Sequence, residues 1–522
     1  MEAKNGMVAT TQPLAAMAGL RVLMQGGNAV DAAVATAAAL NVVEPMSTGI
    51  GGDAFALIWN AKNKKVSALN AGGRAPGSAS LDELRNQGLS AIPANSPYAI
   101  SVPGTVDGWH SILASHGTMP LSEVLKPAIE YAEQGFPVSQ VIANQWQGSA
   151  TKLANQPSGY EFLIEGNAPN RGDIVKLPTL ANTLRLISEG GRDAFYKGPI
   201  ANQIANFVQD HGGWLSTEDL SSHTSTWVEP IHTDYRGVTC WECPPNGQGL
   251  IALTSLNIVE GFDLHSMGLQ SPDTYHHLIE AMRLSLADGL QYITDPETNY
   301  VPTNELLSKS YASKRRKLIQ KDKAIPKVSY GDVLSSSDTV YLSCVDGNGN
   351  ACSFINSLLS GFGTGLVVPG TGIALHNRAS LFSLDPDHPN ALAPHKRPFH
   401  TIIPALATKQ GELWLSLGVM GRMQQAQGHL QVMVNMVDFG MNPQEALDAL
   451  RFTVRQDGTV GLEEGVPSEV PKILSRRGHD IAILTDYQRT AFGSGQIIER
   501  NLESGVLTGG SEPRKDGLAI GW

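Results

Sequence analysis

The feature that most constrains this chain lies past its midpoint, where a polar, serine-rich stretch runs without a break into a pair of strands. From about Asn299 to Ser337 a Lys-rich helical segment is followed by Pro326, Gly331 and the run Ser335-Ser336-Ser337-Asp338. Such punctuation marks a linker. Thr339-Val-Tyr-Leu-Ser-Cys-Val-Asp346 then reads as a strand, Gly347-Asn-Gly-Asn350 as a turn and Ala351-Cys-Ser-Phe-Ile-Asn-Ser-Leu358 as a second strand, which predicts a β-hairpin. Thr339 and Ser357 are equidistant from Asn348, so their hydroxyls face each other across the hairpin. Taken alone, the hairpin describes an ordinary surface Thr–Ser pair.

The remainder alternates helix and strand. Asn28 is a predicted N-cap, with Asp31 three positions on completing a capping-box variant and an Ala/Val helix following to about Leu40. Leu121 to Gln134, Leu177 to Ser188 and Tyr275 to Leu290 carry helical periodicity. With 522 residues, 42% of them hydrophobic, the chain can bury a very large core. A formal net charge of −11 excludes nucleic acid and anionic membrane as partners, and the basic cluster Lys314 to Lys317 reads as a solvated face. The opening residues lack a signal-type pattern and no run of about 20 apolar residues occurs, so a cytoplasmic location is expected.

No cofactor or metal is expected. Cys240 and Cys243 form a CxxC without a second ligand pair, and on a strand they point to opposite faces. His276, His277 and Glu280 have ligand-like spacing but read as a polar helix face. Asp385, Asp387 and His388 read as a plain turn. Nucleotide-binding and serine-hydrolase motifs are missing.

Asp338-Thr-Val-Tyr-Leu-Ser-Cys-Val-Asp-Gly-Asn-Gly-Asn350 resembles the cleavage site of the γ-glutamyltranspeptidase family. The resemblance continues through Gly26-Gly-Asn-Ala-Val-Asp-Ala-Ala33, Val43-Glu-Pro-Met-Ser47 with Gly49-Ile-Gly-Gly52, Val102-Pro-Gly-Thr-Val106, Phe195-Tyr-Lys-Gly198, Glu218-Asp-Leu220, Pro369-Gly-Thr-Gly-Ile373, Lys396-Arg-Pro398 and the terminal Asp516-Gly. It implies an α+β fold, a four-layer αββα sandwich of the N-terminal-nucleophile hydrolase type. It further implies self-cleavage between Asp338 and Thr339. The resulting large chain (1–338) and small chain (339–522) would stay intertwined as one domain, a heterodimer that can pair again as a dimer of heterodimers.

The chemistry implied is acyl transfer to threonine. A threonine hydroxyl needs a base to take its proton. Cleavage supplies one, because the freed α-amino group of Thr339 has an ordinary pKa of roughly 7.7 to 8.0. Ser357 matches a second hydroxyl that orients the nucleophile. Leu417-Gly-Val-Met-Gly-Arg-Met423 resembles the family's oxyanion loop, making the Gly421 and Arg422 amides the donors. The family has two glycines there. Arg422 replaces the second, so either its backbone angle suits a non-glycine residue or the hole is rebuilt.

Specificity is where the sequence departs from the family pattern. Gly72 stands where an arginine holds the γ-glutamyl α-carboxylate, with Arg74 nearby. Leu359 and Leu381 replace an asparagine and an acidic residue that grip the α-amino group, and His400 and Thr401 replace paired serines. Without the acidic residue, a bound ammonium group has no counter-charge. Arg74, Arg378, His376, His400, Arg397 and Arg422 remain, although Arg397 serves equally well as an internal salt bridge. The predicted substrate is a small anionic amide without an amino group, bound by Arg74, Arg378, His400 and Thr401. Oxamate, an amide of purine-ring catabolism, fits this inventory best. Glutathione-like γ-glutamyl compounds and glutaryl-type acyl amides are the alternatives within the family. An uncleaved, non-catalytic binding relative is the alternative from another class, kept open by Val340 and Tyr341 where the family has threonine and histidine.

Overall fold

The computed structural model describes residues 1–156, 158–326, 328 and 338–522, the Asp338 side chain excepted. Two seven-stranded sheets lie face to face. One runs, in spatial order, Leu518–Gly521, Gly6–Thr10, Asp338–Asp346, Ala351–Leu359, Asp53–Asn60, Lys65–Ala71 and Thr226–Val228. The other runs Glu2–Ala3, Leu507–Ser511, Ser494–Arg500, Glu412–Met420, Ala405–Lys409, Val238–Glu242 and Ile231–Tyr235. Neighbouring strands in both are antiparallel. Each sheet thus draws strands from both sides of residue 338.

Helices close the two outer faces, which completes the four-layer αββα sandwich. The fully buried helix Ala29–Val43 lies on the strands Asp338–Asp346 and Ala351–Leu359. It is capped by Asn28 and Asp31 in a reciprocal box, and its alanines let the sheet approach closely. Gly249–Val259, Pro272–Tyr292 and Gln424–Val437 share the opposite outer core with strands Ala405–Lys409 and Glu412–Met420. The predicted segment Leu121 to Gln134 is two helices, Leu121–Val124 and Lys126–Gln134, the second carrying Pro127 in its first turn. The Lys-rich segment forms Lys309–Arg316, while the serine run Ser335 to Ser337 lies outside the described residues.

Alternation along the central hairpin sorts its side chains. Val340, Leu342 and Cys344 enter the helix-side core, whereas Tyr341 and Val345 enter the core between the sheets. Cys352, Phe354 and Leu358 likewise face the helices, and Ala351 and Ile355 face the opposing sheet. Thr339 and Ser357 share parity with the inter-sheet set. Cys240 and Cys243 separate in the same way, one in the outer core and one between the sheets.

Two sequence expectations need correction, and a third, left open, is decided. The basic cluster is not simply solvated: Arg316 donates to the Asn257 and Ile258 carbonyls and Arg315 pairs with Asp288, because the orphan carbonyls ending a helix attract cations. His276, His277 and Glu280 lie on a buried face rather than a wet one, with His276 bonded to His479 and Glu280 to Arg283. Arg397 is the internal salt bridge, bonding Glu297, the Gly72 carbonyl and Thr226.

Candidate active site

The hairpin brings the Thr339 Oγ1 within 2.9 Å of the Ser357 Oγ, both side chains fully buried. The ladder is irregular there: Val340 pairs with Asn356, but Asp338 pairs with Leu359. Such an irregularity re-aims a side chain. The Leu359 amide donates to the Ser357 Oγ at 2.8 Å, anchoring that hydroxyl to the strand end.

Ser357 pairs in turn with Asp53 on the neighbouring strand. Gly51 and Gly52 precede it, and a β-carbon on either would collide with the backbone of Ala374 or Ser357. Only bare backbone fits this approach. Asp53 is fully buried. Its Oδ1 accepts from the Gly73 amide at 3.0 Å, and its Oδ2 accepts from the His400 Nε2 at 3.1 Å. The same oxygen lies 3.2 Å from the His376 Nδ1 and 3.7 Å from the Arg378 Nε. Burial opposes ionisation of Asp53, but His376 and His400 hold its carboxyl well below the usual carboxylate range. Burial and the charge on Arg378 push the His400 imidazole down to about 3, so it is neutral. Its Nδ1 accepts from the Ile402 amide.

Arg378 is fully buried and donates from Nη1 to the Thr401 Oγ1 at 2.8 Å. Its Nε and Nη2 have no hydrogen-bond partner among the described residues. Burial, reinforced by Arg422, pushes this guanidinium down to about 9 while Asp53 opposes the shift, so it remains charged at neutral pH. Arg422 donates from Nε to the Leu359 carbonyl at 3.3 Å and from Nη2 to the Ser360 Oγ. These bonds tie the loop after Met420 to the strand end beyond Ser357.

The backbone around this junction is unusual. Leu359, Phe362 and Arg422 have φ of 75°, 53° and 54°, left-handed angles that cost a side-chain-bearing residue roughly 1 kcal/mol or more each. Arg422 therefore adopts an angle more natural to the glycine that the family pattern has there, and bonds to its carbonyl and guanidinium hold it in place. Such strain clusters where function requires it.

The structure gathers Thr339, Ser357, Arg378, His400, Thr401, Gly421 and Arg422 around one junction. Arg74 forms a partly exposed ion pair with Glu297 at 2.7 Å. Leu381 packs against the opposite outer core, the one shared by Gly249–Val259, Pro272–Tyr292 and Gln424–Val437. Sequence reasoning passed over Asp53, Ser360 and Gln248. Asp53 carried a signal, a carboxylate heading the otherwise apolar run Ala54-Phe-Ala-Leu-Ile-Trp59. Gln248 and Ser360 carried none, since both sit in turn-like sequence. Among the described residues no three His, Cys, Asp or Glu side chains are grouped to hold a metal, and no helix is long and apolar enough to cross a membrane.

Known proteins resemble this chain over nearly its whole length. The Gamma-glutamyltranspeptidase family model matches residues 15–522. The Glutathione hydrolase-like YwrD proenzyme of Bacillus subtilis (strain 168) is 38% identical, over 99% of this chain and 98% of the relative. The Oxamate amidohydrolase proenzyme of Klebsiella pneumoniae subsp. pneumoniae is 33% identical, over 99% and 98%. Among solved structures, the cephalosporin acylase from Bacillus halodurans superposes with a TM-score of 0.94 at 46% identity, covering 100% of this chain and 96% of that one.

Proposed function

Since the chain belongs to the γ-glutamyltranspeptidase family, we propose that Thr339 is its nucleophile, freed by cleavage after Asp338, and that it hydrolyses the amide of a small anionic substrate. Family membership makes the protein a self-processing proenzyme, a hydrolase or transferase. In the precursor the Thr339 nitrogen is an amide without useful basicity. Once freed, it takes the proton of the Thr339 hydroxyl as the oxygen attacks the substrate carbonyl. Ser357 orients that hydroxyl, and the Gly421 and Arg422 amides receive the oxyanion. Collapse of the tetrahedral intermediate expels the amine and leaves an acyl-threonine ester. Water then attacks the ester, releasing the acid and restoring the hydroxyl.

The observation that carries the substrate class is Arg378. Asp53 answers the charge of this buried guanidinium at 3.7 Å, but its Nε and Nη2 make no hydrogen bond among the described residues, and a substrate carboxylate matches that donor geometry. Leu359 offers an ammonium group no charge, and the Asp53 carboxylate is already engaged by His376, His400 and Arg378, which disfavours γ-glutamyl substrates. Oxamate, yielding oxalate and ammonia, is the preferred substrate. Likeness to the cephalosporin acylase favours a second reading, a longer glutaryl-type acyl group.

The test pairs processing with turnover. Wild type and Thr339→Ala are run on a denaturing gel with intact masses, and ammonia release is followed from oxamate, glutaramate and γ-glutamyl amides. Two wild-type fragments meeting at 338/339, an uncut mutant and turnover of the anionic amides are expected. A single uncut band in both would overturn the enzymatic assignment of Thr339.

A further inference from the structure

Behind the junction, one side chain bonds to both arms of the site. Gln248 is fully buried and lies beside His400, whose carbonyl accepts from its amide at 3.0 Å. The Gln248 Nε2 donates to two carbonyl oxygens, that of Arg422 at 2.6 Å and that of Thr401. Carbonyl oxygens only accept, so these partners dictate which end of the amide faces them.

The two carbonyls belong to different machinery. Thr401 carries the hydroxyl that holds Arg378, the proposed anchor for the substrate carboxylate. Arg422 carries one of the proposed oxyanion donors, and its left-handed backbone has no intrinsic preference to keep that peptide in place. The Gln425 amide also binds the Arg422 carbonyl, at 3.1 Å, but it belongs to the same loop-helix segment. Gln248 reaches this carbonyl from a separate element, at the start of the helix Gly249–Val259. A substrate must place its carboxylate on Arg378 and its amide carbonyl at the 421–422 amides together. The separation of those points selects the number of carbons between the two groups, and misplacement by about 1 Å is enough to cost on the order of a hundredfold in rate.

We propose that Gln248 is a positioning residue that fixes the spacing between the Arg378–Thr401 anchor and the oxyanion donors, and thereby sets the acyl length the enzyme accepts. The proposal rests on the anionic-amide reading above. Ammonia release from oxamate, malonamate, succinamate and glutaramate, with butyramide as a neutral control, is compared for processed wild type, Gln248→Met and Gln248→Asn. Methionine keeps the volume and removes the donor; asparagine keeps a donor on a shorter arm.

Wild type is expected to prefer the acids over butyramide and to show one favoured length. At that length Gln248→Met is expected to lose about tenfold or more in kcat with KM changed far less, and its preference among lengths to flatten. Gln248→Asn should rank the lengths differently from wild type, and it decides the matter if the methionine variant does not process. Variants that slow every length by one common factor, or that keep the wild-type ranking unchanged, would overturn the positioning role while leaving the anionic-amide reading intact. A wild type that turns over butyramide as readily as the acids would overturn that reading and this proposal with it.

Discussion

At the scale of single residues, the site is a set of polar groups whose desolvation is answered by particular partners. The Thr339 and Ser357 hydroxyls face each other at 2.9 Å. Ser357→Ala keeps the strand and removes only the oxygen proposed to orient the Thr339 hydroxyl, so kcat should fall on the order of tenfold to a hundredfold, read from ammonia release by the processed enzyme. Asp53 is the carboxylate on which two imidazoles and a guanidinium converge. Asp53→Asn leaves Arg378 buried without a counter-charge, and the expected loss is about 3 kcal/mol or more, measured by urea denaturation. Arg378→Met should raise KM for anionic amides tenfold or more and leave that for butyramide nearly unchanged.

At the scale of elements, the approach of one strand to another positions the proposed nucleophile. Gly52 sits where a β-carbon would strike the Ser357 carbonyl. Gly52→Ala should displace the strand carrying Ser357, and the expected result is folded protein that stays uncut on a denaturing gel; normal processing would show that the strand end adjusts freely. The helix Ala29–Val43 is fastened at its head by Asp31, which closes the capping box and also accepts from Thr118 and Met119. Asp31→Ala should therefore cost more than an ordinary cap, about 2 kcal/mol or more, seen as a lower urea midpoint.

At the scale of the whole molecule, buried neutral histidines tie stability to pH. Burial holds His223 and His276 down at about 4 and His400 and His479 at about 3. In the unfolded chain each protonates near its ordinary value of about 6.5. The unfolded state thus binds more protons between about pH 6.5 and 4, and stability present above pH 6.5 is lost as pH falls through that window. Urea midpoints should decline steadily from pH 7 to pH 4.5, and His400→Gln should lessen the slope. Both sheets interleave strands from residues before and after 338. Cleavage there should leave two chains that co-elute in buffer and separate only in denaturant, as size-exclusion chromatography would register.

The family resemblance implied the layered α+β architecture, while the residues by themselves determined the hairpin, the pairing of Thr339 with Ser357 and the capped alanine helix. These follow from local periodicity, turn chemistry and cap residues, which act over a few positions. The register between two strands joined by a short turn is equally local, because the turn counts it out. Only the tertiary structure decided which cations matter. Arg74, Arg378 and Arg397 look alike as letters, but Arg74 pairs with Glu297 near the surface, Arg397 is bonded inside the fold, and Arg378 is buried beside Asp53 with two nitrogens that make no hydrogen bond among the described residues. Asp53 and Gln248 likewise came to the junction only through the fold, lying against residues more than a hundred positions away. The charge, burial and strain of a side chain depend on what the whole chain folds around it, and spacing along the sequence carries no record of that.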